Sequence, residues 1–204
     1  MSEEGGDVFE MMTALTLAVV AAVLAMSDLG AGKYGDDEII GTNEKAAAYA
    51  WYQSKSIKQG QVEAEHDLLA GLVKAGAIEA VAVPAVEAHM VELDADASRY
   101  KVEKREILEG SAAVGPEGQT LDKDGVKGVI TGAQEWERKL EVLGAAGDQF
   151  DLSALYLQMS LVMGTIALVL KSQKLQWAFY GLMVLLGLGG AGYAWVAFGI
   201  AEGA

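Results

Sequence analysis

Two long uncharged runs near the C-terminus most strongly constrain what this chain can fold into. The first extends over residues 152–170 and the second over residues 177–201. Each run predicts a helix, and the four polar residues 171–174 lie between the two predicted helices. At about 1.5 Å per residue, the nineteen residues of the first run span roughly 28 Å, close to the hydrocarbon thickness of a bilayer. The two runs predict a transmembrane helical hairpin over residues 152–204.

A third apolar segment lies near the N-terminus. Residues 8–26 are apolar apart from Glu10, Thr13 and Thr16. A secretory signal peptide would carry basic residues before such a segment, and residues 1–7 contain none. We therefore expect an uncleaved transmembrane helix within residues 1–28 that ends near Ser27. Ionisable groups inside a membrane are candidate functional groups, so Glu10 is a candidate for an ion path. Glu10 also lies close to the end of the predicted helix, where its carboxylate would reach the lipid headgroups.

The charged residues are concentrated between these segments. Residues 27–151 hold 24 of the 29 acidic residues and 13 of the 15 basic residues. This division predicts a soluble acidic domain over residues 29–151, attached to the lipid bilayer on both sides. An acidic domain is a poor nucleic-acid ligand, because phosphate contacts need clustered bases. The chain has no cysteine, which excludes disulfides, thiol catalysis and cysteine-ligated metals.

The soluble domain is predicted to contain a coiled-coil hairpin. We expect one helix from about Asn43 to Gly76 and a second that begins between residues 77 and 85, with Pro84 near its first turn. Apolar positions at steps of three and four residues along the second helix predict a coiled-coil seam. These positions are Val83, Val86, Met90, Leu93, Ala97, Tyr100 and Ile107. The seam would pack against the first helix, where Val62, His66, Leu69 and Val73 match it, or against another copy.

The rest of the soluble domain is predicted to be a glycine-rich loop followed by a short helix. Residues 110–132 contain a proline and several glycines, which is loop composition. The segment Asp122–Gly125 resembles part of a calcium loop, but the twelfth position would be Ala133 instead of the required glutamate, so we do not expect calcium binding. A third helix is predicted over residues 133–143.

Small residues in the last apolar run predict close packing between membrane helices. Gly187 with Ala191 and Gly190 with Ala194 are spaced four residues apart, which allows backbones to approach closely in lipid. The partner helix would belong to the same chain or to another copy, and at least some intermolecular use is expected. Gln158 in the preceding run would hydrogen-bond across helices.

Few residues are candidates for chemistry. The two histidines, His66 and His89, would lie at similar heights on facing helices with carboxylates nearby, which makes them weak candidates for a metal site. They lack a tight ligand spacing, and solvated helix faces explain them more simply. We identify no nucleophile motif, phosphate loop or dinucleotide fingerprint, so neither an enzyme nor a bound cofactor is expected.

Three segments carry a resemblance to a known family. Residues 51–59 (WYQSKSIKQ), 99–107 (RYKVEKREI) and 148–153 (DQFDLS) resemble motifs of the bacterial family known as domain of unknown function 4337. The resemblance covers nearly the whole chain and implies one N-terminal span, a helical middle and a C-terminal hairpin. The glycine-rich loop and the base-free N-terminus depart from the family pattern. The family implies no activity and no site residues.

These observations favour a structural function in a membrane. Lys171 and Lys174 lie in a short loop, which the positive-inside rule places in the cytoplasm of a bacterium. The N-terminus would then be cytoplasmic and the soluble domain periplasmic, in preference to the inverse. We expect a non-enzymatic inner-membrane protein that forms a homo-oligomer or docks as an accessory subunit of a larger complex. An oligomeric ion or proton channel is the alternative, and a periplasmic domain that senses a metal or ligand is the third hypothesis.

Overall fold

A computed structural model of the chain describes residues 3–203, and the side chains from Asp7 onward. Five helices and a small antiparallel sheet make up this part, so the prediction of an all-helical chain is confirmed in outline. The helices are α1 (Glu3–Lys74), α2 (Val83–Glu109), α3 (Ser111–Gly118), α4 (Ala133–Val169) and α5 (Gln173–Ala201), and the strands are β1 (Asp122–Lys123) and β2 (Val126–Lys127). Met1, Ser2 and Ala204, which belong to the predicted segments 1–28 and 152–204, lie outside the described residues.

The chain divides into two compact units. Within the described residues, the three-helix unit consists of residues 3–40 and 139–203, and the hairpin unit consists of Gly41–Arg138. Helices α1 and α4 contribute residues to both units. Among the described residues, α1 (from Asp7), α4 and α5 are long and apolar enough to cross a membrane. These are the helices that contain the three predicted apolar segments.

Helix α1 does not end near Ser27, as the sequence predicted, but continues to Lys74. The glycines after Ser27 cost a helix only about 1 kcal/mol each, whereas a proline would cost about 3, and no proline precedes Pro84. Gly30 also has a packing reason, because a Cβ there would lie 2.5 Å from the Phe198 ring. The helix ends where Gly76 adopts a left-handed conformation (φ +67°) and the Ala77 N–H bonds to the Leu72 carbonyl, as in a Schellman motif.

The predicted break between the third helix and the first run of the C-terminal hairpin is also absent from the structure. Helix α4 continues from Ala133 through Leu143 to Val169, because residues 144–151 include two glycines and no proline. The turn before α5 lies where predicted, with the Gln176 side chain donating a hydrogen bond to the Leu170 carbonyl at 2.8 Å.

Residues 110–132 are more ordered than the predicted loop. They contain α3 and an antiparallel pair of strands in which Asp122 is opposite Lys127. Asp124 and Gly125 form the turn, both with positive φ (56° and 79°), as a type I′ turn requires. The segment that resembled a calcium loop is therefore a tight hairpin turn.

The three-helix unit packs through one face of α1. Phe9, Thr13, Val20, Ser27 and Gly30 are buried and recur at helical spacing. Contacts place α5 parallel to α1 and α4 antiparallel to it. The Phe9 ring lies 5.2 Å from Trp177, and the Tyr34 ring lies 6.3 Å from Phe198 at the other end. The unit is an up-down-up bundle.

Candidate functional site

The predicted seam on α2 faces α1 within the same chain. Leu93 and Ile107 are buried and the other five seam residues are partly buried, whereas most neighbouring positions are exposed. The matching residues on α1, Val62, His66, Leu69 and Val73, are partly buried too. Ile107 packs with Leu121 and Ile130 against Ala48, Trp51 and Tyr52 of α1. The seam therefore closes an antiparallel hairpin, the first of the two packings that the sequence allowed.

Polar contacts cross the same interface. The Lys55 ammonium forms a 2.5 Å ion pair with Glu103, and both side chains are largely buried. The next residues along each helix interact as well, since the Lys104 ammonium donates a hydrogen bond to the Ser56 hydroxyl at 3.2 Å. Lys55 also lies 5.4 Å from the centre of the Tyr100 ring, within range of a cation–π interaction. These pairs set the register of the two helices, and the apolar periodicity of the sequence does not predict them.

A fully buried carboxylate, Glu106, joins α2 to the segment that follows it. Its Oε1 accepts a 2.7 Å hydrogen bond from the Ser111 hydroxyl, and its Oε2 accepts 2.8 Å bonds from the backbone N–H groups of Thr120 and Leu121. Ser111 in turn accepts a bond from the Ile130 N–H at 3.0 Å. A buried carboxylate needs such donors to replace water. Glu106 therefore holds residues 111–130 in place, which is a structural task.

The two histidines lie near the other end of the hairpin, and each faces a carboxylate on the opposite helix. His66 Nε2 lies 3.6 Å from Asp94, and His89 Nε2 lies 3.4 Å from Glu65. Hydrogen bonds with Glu92 and Glu65 raise the pKa of His89, whose side chain is half-exposed. Within residues 3–203, no three acidic or histidine side chains are arranged to hold a metal ion. The structure gives the metal hypothesis no geometric support.

A cavity of about 260 Å³ opens in the hairpin unit. Both tryptophans of this unit, Trp51 and Trp136, line it together with Ile107 and Ile130, and the carboxylates of Glu44 and Asp122 are part of the wall. Ligand pockets usually enclose about 300–1,000 Å³. Because the cavity is smaller than that, only a small molecule would fit.

In the three-helix unit, the small residues of α5 face the other helices of the same chain. Gly187, Gly190 and Ala194 are buried and Ala191 is partly buried. A Cβ on Gly190 would lie 2.6 Å from Leu157 Cγ in α4, and one on Gly187 would lie 3.1 Å from Val20 in α1. The predicted close packing therefore occurs within the chain, against α1 and α4, and the intermolecular contact that was also expected at these residues stays a prediction.

Among the described residues, an interhelical hydrogen bond connects each pair of helices in this unit. The hydroxyls of Thr16 and Tyr180 are 3.2 Å apart and join α1 to α5. Those of Ser27 and Ser153 are 3.1 Å apart and join α1 to α4. The Ser160 hydroxyl in α4 donates to the Met183 carbonyl in α5 at 2.7 Å. Small hydroxyl side chains therefore perform the role that the sequence assigned to Gln158.

The structure does not bring Glu10 and Gln158 together. Both are exposed on the outside of the three-helix unit. Gln158 lies two residues from Ser160, which is level with Val20, so about 18 Å along the helix axis separates it from Glu10. Glu10 follows Phe9, whose ring packs against Trp177 and Tyr180, the residue types that mark membrane interfaces. The ion path through Glu10 stays a prediction.

Comparisons with known proteins agree with the resemblance. A family model described as Domain of unknown function (DUF4337) matches residues 9–200, which is most of the chain. Comparisons with curated proteins and with solved structures find no match. The matched range includes all three segments, 51–59, 99–107 and 148–153, that carried the resemblance. The chain belongs to the DUF4337 family.

Proposed function

We propose that this protein is a non-enzymatic membrane protein that self-assembles, or docks as an accessory subunit of a larger membrane complex, through its hairpin unit. One observation carries the proposal: the hairpin helices leave apolar side chains exposed on their outer sides. Ile57 and Leu68 on α1 expose 62% and 63% of their surface, and Val91 on α2 exposes 69%. Exposed apolar surface on a helix marks a site of protein contact when it is contiguous, and α2 carries such a stripe of exposed apolar residues at helical spacing: Ala88, Val91, Ala95 and Val102.

The charged groups inside the hairpin unit are bound to other parts of the same unit, and this supports a structural role. Glu103 and Glu106 are buried and Lys55 is largely buried, and each is bound to another part of the unit. A catalytic group needs access to a substrate and a pKa suited to proton transfer or attack. Groups that hold helices and loops in register suit a rigid interaction module better.

The proposed membrane arrangement follows from chain order. The three apolar helices cross the membrane, and the turn with Lys171 and Lys174 lies at the same end of the bundle as Phe9, because Trp177 contacts Phe9. Applying the positive-inside rule to these two lysines places this end in the cytoplasm of a bacterial inner membrane. Residues 41–138 would then be periplasmic.

The proposal is tested by extracting the native complex in mild detergent and measuring its mass and composition by mass spectrometry. A species at a multiple of 21.4 kDa supports self-assembly, and stoichiometric foreign subunits support an accessory role. A single 21.4 kDa chain without bound protein, at every detergent tested, would contradict the proposal.

A further inference from the structure

The cavity in the hairpin unit is apolar where it is deepest, aromatic along its walls and charged at its edge. Ile107 and Ile130 are its most buried lining residues, with exposed fractions of 0% and 8%. Trp51 and Trp136 line it as well and are partly buried. The charged lining residues are exposed, and they are Glu44, Asp122 and Lys123. A molecule in this cavity would therefore contact apolar and aromatic groups inside and charges only at the edge.

Separate parts of the chain hold the cavity in shape. One face of α1 contributes four lining residues at helical spacing, Glu44, Ala47, Ala48 and Trp51. Asp122 directly follows Leu121, whose N–H group is bonded to the buried Glu106 at 2.8 Å. The Ile130 N–H group is bonded to the Ser111 hydroxyl, which itself donates to Glu106. The Glu106 network therefore fixes these walls in advance, and a ligand would lose little affinity to ordering them.

The volume of the cavity limits the size of the ligand. A cavity of about 150 Å³ holds one benzene molecule, and this cavity encloses about 260 Å³. A ligand of roughly six to ten non-hydrogen atoms therefore fits.

The charges and the aromatic rings define the chemistry of the ligand. Glu44 and Asp122 contribute two formal negative charges and Lys123 one positive charge, which leaves one negative charge for a ligand to balance. Indole faces attract cations, and quaternary ammonium groups are the cations that aromatic sites typically recognise. A metal ion fits less well, because no three acidic or histidine side chains within residues 3–203 are arranged to hold one. The lining therefore favours a small organic monocation.

We propose that this cavity binds a small alkylated ammonium cation of the size of choline. The ammonium group would lie against the indoles of Trp51 and Trp136, and its charge would be balanced by Glu44 and Asp122. A lipid headgroup could offer the same ammonium group, but its phosphate would be repelled by the two carboxylates, so we assign the free cation. This site goes beyond the proposed assembly function, and it shares no residue with the exposed stripe of α2.

Calorimetric titration of the full-length protein tests the proposal, in a maltoside detergent that carries no ammonium group. We expect choline to bind with a dissociation constant of about 0.1–1 mM. The matched control is 3,3-dimethylbutan-1-ol, which has the shape of choline without the charge and should bind at least about tenfold more weakly. Equal binding of the two molecules, or no choline binding, would overturn the proposal. Tighter binding of glycerophosphocholine than of choline would overturn the assignment to the free cation.

Nuclear magnetic resonance of the indole N–H groups locates the bound cation. The chain has four tryptophans, so the spectrum is simple and each signal can be assigned by a Trp→Phe substitution. Choline should shift the signals of Trp51 and Trp136 and leave those of Trp177 and Trp195 in place. Shifts confined to Trp177 and Trp195 would place binding in the three-helix unit and would overturn the proposal.

Charge removal at the edge of the cavity tests the two carboxylates. Glu44→Gln and Asp122→Asn should each weaken choline binding about fivefold, and the double variant should weaken it further. Both residues are exposed, so their amides should not disturb the fold, and thermal melts check this. Glu87→Gln is the control, because it removes the same charge from an exposed residue that does not line the cavity. Wild-type choline affinity in the double variant would overturn the proposal.

These outcomes are separable from those that test assembly. The Glu44→Gln/Asp122→Asn variant should lose choline affinity and keep the native mass of the wild type. A wild-type protein that is a lone 21.4 kDa chain and still binds choline would reject the proposed assembly and support the cation site. An assembly that binds no choline would do the reverse.

Discussion

The two units of this protein use the same helical spacing with different chemistry. In the three-helix unit, helices meet through glycines, hydroxyls and aromatic rings, as at Gly190 and the Ser27–Ser153 pair. In the hairpin unit, helices meet through an apolar seam reinforced by ions, as at Lys55–Glu103. The surroundings that we propose for the two units would explain the difference. Lipid provides no hydrophobic force between apolar helices, so close fit and hydrogen bonds must hold helices together in a membrane, whereas water drives apolar seams together.

The comparison also shows which exposed apolar residues need an explanation. In the three-helix unit, Leu185, Leu188 and Trp195 are exposed at 67–83%, as expected for helices that face lipid. In the hairpin unit, Val91 is exposed to a similar degree, but lipid would not surround it in the proposed arrangement. Similar exposed fractions therefore predict lipid contact in the three-helix unit and protein contact in the hairpin unit.

The substitution with the largest expected effect, Glu106→Ala, should lower the stability of the hairpin unit alone. Replacing Glu106 with alanine removes the acceptor for Ser111, Thr120 and Leu121, and leaves the buried donors of Ser111 and Leu121 without this partner. We expect a loss of about 3–5 kcal/mol of stability in this unit. Hydrogen-exchange mass spectrometry should show faster exchange in residues 111–132 and little change in α5. The control is Glu109→Ala, which removes only the Arg105–Glu109 pair and should cost less than about 0.5 kcal/mol. Equal effects of the two variants would refute the role given to Glu106.

The next effect should be confined to the three-helix unit. Gly190→Leu places atoms where Leu157 already lies, and we expect overpacking to cost about 1–3 kcal/mol. Gly192→Leu is the matched control, because the same side chain would enter open space. The melting temperature in detergent should fall for the first variant only. If Gly190→Leu instead lowered the native mass without changing the melt, the glycine face would serve contact between chains after all.

A smaller change would show how much the hydroxyl pairs stabilise the bundle. Ser27→Ala removes the 3.1 Å hydrogen bond to Ser153, and interhelical bonds of this kind are worth about 0.6 kcal/mol on average. The Ser27→Ala/Ser153→Ala double variant should cost scarcely more than either single variant, because no donor is then left without an acceptor. A double-mutant cycle on chemical unfolding in detergent measures the coupling, and additive single effects would contradict it.

The smallest effect is a pH dependence limited to the hairpin unit. Glu92 and Glu65 raise the pKa of His89 in the folded state above its ordinary value of 6.5. A raised folded-state pKa stabilises the hairpin fully below the unfolded-state pKa, and this stabilisation is lost as pH rises through the folded-state pKa. The melting temperature of the hairpin unit should therefore fall slightly as pH rises from below 6.5 to above it. His89→Gln should flatten that slope, and an unchanged slope would exclude His89 as its source.

Features with strong periodicity could be predicted from the sequence. The three apolar segments, the α2 seam and the start of α2 beside Pro84 all occur where the pattern placed them. The continuity of α1 past Ser27 was not predicted because glycines weaken a helix without forbidding it, and packing at Gly30 decides the outcome. The Asp124–Gly125 turn carries a signal, since Asp-Gly between short extended segments favours a hairpin, but the glycines around it indicate a loop more generally.

The buried charges were harder to predict. Glu103 and Glu106 lie close to seam residues Tyr100 and Ile107 on the inward side of α2, where a hydrophobic pattern predicts apolar residues. Their partners, Lys55 and the backbone of residues 120–121, are distant in sequence and meet them only in the folded chain. A charged residue at an inward position was the available signal, and it indicates that a partner must exist without saying which one.

The central claim is that the hairpin unit makes contact with other protein chains, through the exposed apolar stripe of α2. The most direct test is the native mass and composition of the full-length protein in mild detergent, measured for the wild type and for Ala95→Glu, with the exposed Ala112→Glu as control. The account predicts an assembly of more than one protein chain for the wild type and the control, and a lone 21.4 kDa chain for Ala95→Glu. An assembly that persists unchanged in Ala95→Glu would contradict it.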